Sequence, residues 1–173
     1  RQLNGIDQNA GILTKLPIFL VRNRYGLAQI RPGLDNTILG FYSPAEEGVF
    51  ATAIRSADGA LTGQQVLMHE YAHHLLLGNI EGAYPAWFVE GFAEYYMTAE
   101  IDVEKQVVSL GSPSGNRAAW IMNESWIALP DLISKRQSEI RNETDRATYY
   151  PVAWLLTHWF LSDPVRKQQL DAY

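Results

Sequence analysis

The chain has 173 residues, 47% hydrophobic and 19% charged, with a formal net charge of -5 and no cysteine. That length and balance fit one folded domain, residues 1–173, with a sizeable core, and exclude a disordered segment. The acidic balance excludes the basic stripe of a nucleic-acid binder, and without thiols any metal must be held by His, Asp or Glu.

The first third reads as strand. Residues 16–24 mix alternation with β-branched and aromatic side chains, and residues 37–42 and 48–55 repeat the pattern. Arg31-Pro-Gly33, Ser43-Pro44 and Asp58-Gly59 supply turn chemistry between them. The expectation is at least three strands of one sheet, with 48–55 the longest. That last strand is either an edge that an extended peptide could pair with or an interior strand.

From Thr62 the period becomes helical, with apolar residues at Val66, Leu67, Tyr71, Leu75 and Leu76. Thr62 and Gln65 have the spacing of a capping box, and Gly78 with Asn79 ends the helix. A loop through Gly82 leads to a second helix over residues 85–98, with Pro85 in its first turn. Residues 105–110 read as a short strand, 111–115 as a loop, 131–136 as a short helix and 147–161 as a longer one. Pro151 would have to fall in the first turn of that last helix. Residues 163–173 again read as helix, so the chain opens on Arg1 rather than Met and stops inside an element, as a fragment of a longer protein would. Strands followed by helices make the class α+β. No apolar run is long enough to cross a membrane.

The chemistry concentrates in Met68-His69-Glu70-Tyr71-Ala72-His73-His74, which holds His-Glu-x-x-His on the first helix. Residues four apart share a helix face, so His69 and His73 can direct imidazole nitrogens at one ion. Glu70 projects beside that ion, where a carboxylate can take a proton from water and pass it to a leaving amine. The competing reading is an amphipathic helix with two core histidines. Trp87-Phe-Val-Glu90-Gly-Phe-Ala-Glu94-Tyr then sets two carboxylates four apart on the next helix. Glu90 can supply a third ligand, and Glu94 can accept a hydrogen bond from a ligand imidazole. A solvated acidic face is the alternative for both, although Trp87, Phe88, Phe92 and Tyr95 leave little polar surface around them. Gly91 would let the two ligand-bearing helices approach closely.

His69-Glu-x-x-His73, followed 17 residues later by Glu90 and four beyond by Glu94, resembles the gluzincins, the thermolysin-like zinc peptidases. Residues 85–95 resemble the small bacterial members with a Trp-Phe-x-Glu-Gly-x-Ala-Glu-Tyr signature. Thermolysin-like enzymes often carry Asp where this chain has Glu94, which agrees instead with the narrower group. Tyr150-Pro-Val-Ala-Trp154-Leu-Leu-Thr-His158 is similar to a Tyr-bearing helix of the same group, so the likeness runs from about Leu16 onward.

The resemblance implies a zincin-like fold, with a small N-terminal sheet over the active-site helix and a mostly helical C-terminal part. It implies Zn2+ on His69, His73 and Glu90, Glu70 as general base, Glu94 behind a ligand and a peptide or protein substrate. It also implies an exported bacterial location, periplasmic or extracellular. Tyr150 is the expected second donor to the carbonyl oxygen, preferred over Tyr149 and His158. His74, about 100° round the helix from its neighbour, reads as a structural or surface residue. The alternative function is a weakly catalytic zincin-like module that binds a partner through a region outside this chain.

Overall fold

Residues 48–55 do form the longest strand, and its burial explains its place. The structure, a computed structural model, describes residues 15–35, 38–45, 48–55, 61–79 and 84–172. Strand β1 (Ile18–Val21) runs parallel to β3 (Gly48–Ile54), and β2 (Gly40–Ala45) runs antiparallel to β3 on its other side. Strand β3 is therefore central, with Ala51, Thr52, Ala53 and Ile54 all buried, as in a strand covered on both faces. The edge reading of 48–55 is excluded, because both of its hydrogen-bonding sides are occupied. The edges are β1 and β2.

Other expectations need correction. The apolar run at 16–24 yields only the four residues of β1, because Asn23 caps helix α1 (Arg24–Ile30) by accepting from the Gly26 amide at 3.2 Å. Ser43-Pro44 is not a turn but part of β2, where an edge position tolerates a residue without an N–H. Thr37, Asp58-Gly59 and Gly82 lie outside the described residues.

Helix α2 (Gly63–Asn79) follows the sheet. Its capping box forms: the Thr62 amide donates to Gln65 Oε1 at 2.9 Å, and the Gln65 amide donates to Thr62 Oγ1 at 3.1 Å. Gly40 brings β2 and α2 together, since a Cβ there would stand 2.7 Å from Val66 Cγ1 and 2.8 Å from the Thr52 carbonyl. Helix α3 (Ala86–Tyr96) leads into a hairpin of β4 (Glu100–Asp102) and β5 (Val107–Ser109). Helix α4 (Gly115–Asn123), an addition to the elements expected from the sequence, precedes α5 (Leu129–Ser134), α6 (Glu143–Leu161) and α7 (Pro164–Asp171).

Helix α6 begins at Asn142, whose side chain accepts from the Asp145 amide at 3.0 Å, so Pro151 lies in its interior and not in its first turn. Pro151 leaves the Ala147 carbonyl without its usual helical donor. It is buried, and its tertiary packing keeps the helix continuous across that gap.

The main core joins Leu76 of α2, Trp87 and Phe88 of α3, Leu132 of α5 and Tyr149, Val152 and Ala153 of α6. A smaller cluster of Leu27, Phe41 and Ile54 holds α1 to the sheet. The architecture is mixed α+β. Among the described residues no helix is long and apolar enough to cross a membrane.

Candidate metal centre

Helices α2 and α3 pack with their chemical faces inward. His69 and His73, one turn apart on α2, meet Glu90 of α3: His69 Nε2 stands 3.4 Å from Glu90 Oε2, and His73 Nε2 stands 3.7 Å from the same oxygen. One ligand atom from each of the three lies within 4.8 Å of the others, a group that could hold a metal ion. Both imidazoles present the Nε2 edge. His69 turns its other nitrogen to α3, with Nδ1 3.5 Å from Glu94 Oε1. His73 Nδ1 is buried and has no hydrogen-bond partner among the described residues.

The two carboxylates of α3 differ sharply. The Glu90 side chain keeps 27% of its surface and forms the open side of the cluster, whereas that of Glu94 keeps 1%. A solvated acidic face is thus excluded for Glu94. Its charge is met by Arg117, whose Nε donates to Oε2 at 2.8 Å and whose Nη2 donates to Oε1 at 2.9 Å. The same guanidinium lies over the Tyr150 ring, 5.2 Å from its centroid. Arg117 is the residue that sequence reasoning missed. A signal existed: a carboxylate set among Trp87, Phe88, Phe92 and Tyr95 needs a buried cation, and Arg117 follows Ser114 at the head of a helical stretch.

Glu70 is buried beside the histidines, and the Tyr42 backbone amide donates to its carboxylate. In the β2–β3 register Leu39 bonds Ile54, so every second residue faces β3 and the Tyr42 amide points outward to α2. Burial, helped by the nearby Glu90 charge, pushes the Glu70 carboxyl up to about 7 against the opposing pull of His69 and the Tyr42 amide. For His69 burial works downward, but Glu90, Glu70 and Glu94 outweigh it and raise the imidazole to about 9. Burial and the His69 charge lower His73 to about 4. Burial alone would raise Glu90, yet His69, His73 and Arg117 bring it below its ordinary value. The raised His69 thus carries its proton among the carboxylates of Glu70, Glu90 and Glu94, in surroundings that favour a positive charge.

Tyr149 and Tyr150 part company. Tyr149 is fully buried in the main core, and its hydroxyl donates to the Lys135 carbonyl at 2.9 Å. Tyr150 turns to the cluster, its ring edge-on to His69 at 6.3 Å. Burial, with the charges of Glu90 and Glu94, raises its phenol far above the ordinary value, so the proton stays on. His158 stacks near Trp154 and Tyr95, at 5.4 and 5.8 Å, in the α3–α6 interface. His74 is buried, its Nδ1 sharing a hydrogen bond with the Tyr42 hydroxyl at 3.3 Å. That contact ties α2 to β2 and makes His74 structural rather than a surface residue.

Gly91 permits a close approach, but not the expected one. A Cβ there would collide with Thr157 Oγ1 and the Ala153 carbonyl, so the glycine seats α3 against α6 and not against α2. Comparison with protein families, with curated proteins and with solved structures found no match.

Proposed function

We propose that this chain is a zinc-dependent peptidase of the gluzincin type, on a zincin-like fold, hydrolysing peptide bonds in peptides or proteins. The observation that carries this reading is the convergence of His69, His73 and Glu90 with the Glu70 carboxylate buried beside them. Two ligand atoms on tetrahedral zinc, each about 2.0–2.2 Å from it, stand about 3.3–3.6 Å apart. The 3.4 Å separation of His69 Nε2 from Glu90 Oε2 falls within that spacing, the 3.7 Å of His73 Nε2 lies just beyond it, and all three ligand atoms lie within 4.8 Å of one another. Both distances to Glu90 Oε2 exceed an ordinary N–H···O bond of about 2.7–3.2 Å. Two imidazoles and a carboxylate, without thiolate, suit zinc and leave a fourth position open.

Zinc held there would supply Lewis acidity, drawing the pKa of water toward about 7 and polarising the scissile carbonyl. Glu70 is placed to take a proton from an attacking water and to return it to the leaving amide nitrogen. The Tyr42 amide holds the carboxylate in place. Glu94 Oε1 stands 3.5 Å from His69 Nδ1, where a proton on Nδ1 would face the carboxylate and leave the Nε2 lone pair facing inward. Tyr150, with its proton retained, donates to the carbonyl oxygen as negative charge grows there.

The test pairs metal analysis with digestion of a peptide library. Wild type should bind one zinc and cleave. His69→Ala and His73→Ala should lose the metal, whereas Glu70→Gln should keep it and lose turnover by about 10²–10⁴-fold. Full zinc in the histidine variants sinks the ligand assignment. Zinc uptake without any cleavage by wild type favours the partner-binding module instead.

A further inference from the structure

The geometry points to Arg117 as a positioning residue of the metal centre, acting through Glu94 on the orientation of His69. This inference rests on the zinc-peptidase reading. Glu94 is the most deeply buried charge of the cluster, at 1% exposure, and among the described residues it meets Arg117 and His69. A planar guanidinium that engages both oxygens, at 2.8 and 2.9 Å, fixes the plane of the carboxylate as well as its position. Once the plane is fixed, Oε1 has one remaining direction in which to accept, toward His69 Nδ1 at 3.5 Å.

Arg117 is itself held on its face by the Tyr150 ring at 5.2 Å, and its side chain keeps 21% of its surface. Helix α4 packs on α6, which carries Tyr150, so the guanidinium is placed by elements that contribute no ligand. A lysine in its place would present one ammonium and no fork, and it would leave the carboxylate free to rotate. The chain Arg117–Glu94–His69 therefore carries rigidity from α4 to the ligand nitrogen, and its loss should appear in metal affinity before any question of turnover.

Zinc affinity, measured by competition with a chromophoric chelator on the purified chain, tests this. Arg117→Met and Glu94→Gln should each weaken zinc binding by roughly 10–100-fold. The double variant should be no weaker than Glu94→Gln alone, because both substitutions break the same link. Arg117→Lys should fall between wild type and Arg117→Met. Because Arg117→Met leaves Glu94 buried without its counter-charge, it can fail to fold. The comparison of Glu94→Gln with the double variant, together with Arg117→Lys, then decides the matter, since Arg117→Lys keeps the counter-charge and the double variant removes both charges. Equal losses for Arg117→Met on the wild-type and Glu94→Gln backgrounds would mean that Arg117 only packs, and the inference falls. Wild-type affinity in Arg117→Lys overturns the requirement for a fork. A wild-type chain that takes up no zinc removes the metal-centre reading and this inference together, whereas zinc-binding wild type with unaffected variants removes the inference alone.

Discussion

Helix α3 has two working faces, and they are built on opposite principles. Toward α2 it presents Glu90 and Glu94, one turn apart, into a gap shared with His69, His73 and Glu70. Toward α6 it presents Trp87, Gly91 and Tyr95, also one turn apart, which meet Phe160, the Ala153 backbone and His158. The first interface holds charge in a poorly solvated space, around a group that could hold a metal ion. The second is apolar and as close as backbone allows. Buried carboxylates cost folding energy unless paired, so a face of this kind needs a rigid apolar neighbour to hold it in register. The α3–α6 contact supplies that, and it places Tyr150 of α6 at the cluster as a consequence.

The comparison breaks most severely at the tyrosine pair, where adjacent residues serve the two kinds of environment. Tyr150→Phe should lower kcat by about 10²–10³-fold with zinc content and melting temperature unchanged, because its hydroxyl donates only as charge develops. Tyr149→Phe should do the reverse. It leaves the Lys135 carbonyl without its donor and costs about 1–3 kcal/mol of stability at full kcat. Steady-state kinetics beside thermal denaturation would expose a misassignment if the two variants exchanged phenotypes.

A smaller effect is expected at the tight face. In Gly91→Ala the new methyl meets the Ala153 carbonyl, which is backbone and cannot step aside. A destabilisation of roughly 1–3 kcal/mol should follow, the usual range for overpacking. That amounts to a fall in Tm of about 2–4 °C per kcal/mol for a chain of this size. One zinc per chain should still bind at saturating metal. An unchanged Tm would show that α3 and α6 are not in backbone contact.

The smallest expected change sharpens the cost of the charged face. Glu70 has a folded pKa of about 7 against an ordinary 4.5, so its ionised form is disfavoured by folding. Below pH 4.5 the acid is protonated both folded and unfolded, and there is no penalty. Between about 4.5 and 7 the unfolded chain ionises first, and stability falls as pH rises; above that window the penalty is constant. With a chelator present, Glu70→Gln should therefore raise Tm by a few degrees at pH 8, and the gain should shrink toward pH 5. An equal loss of Tm at both pH values would mean that the carboxylate contributes net stability.

Much of this was legible without coordinates. The pairs His69/His73 and Glu90/Glu94 follow from the 3.6-residue period alone, which sets four-apart side chains on one face whatever the helix packs against. The Thr62–Gln65 cap is likewise local hydrogen-bond chemistry. Arrangement was another matter. Whether 48–55 lies at the edge or centre of its sheet depends on strand order, which alternation along a single strand does not encode. Which helix Gly91 approaches depends on where α6 comes to rest, and α6 begins before Pro151 because tertiary burial outweighs one missing hydrogen bond. Arg117 stood 23 residues from Glu94 with no periodic link between them. The sequence by itself determined which groups share a helix face, because helical geometry is local. Only the tertiary structure decided which faces meet and which cation answers the buried Glu94, because those contacts join residues far apart in the chain.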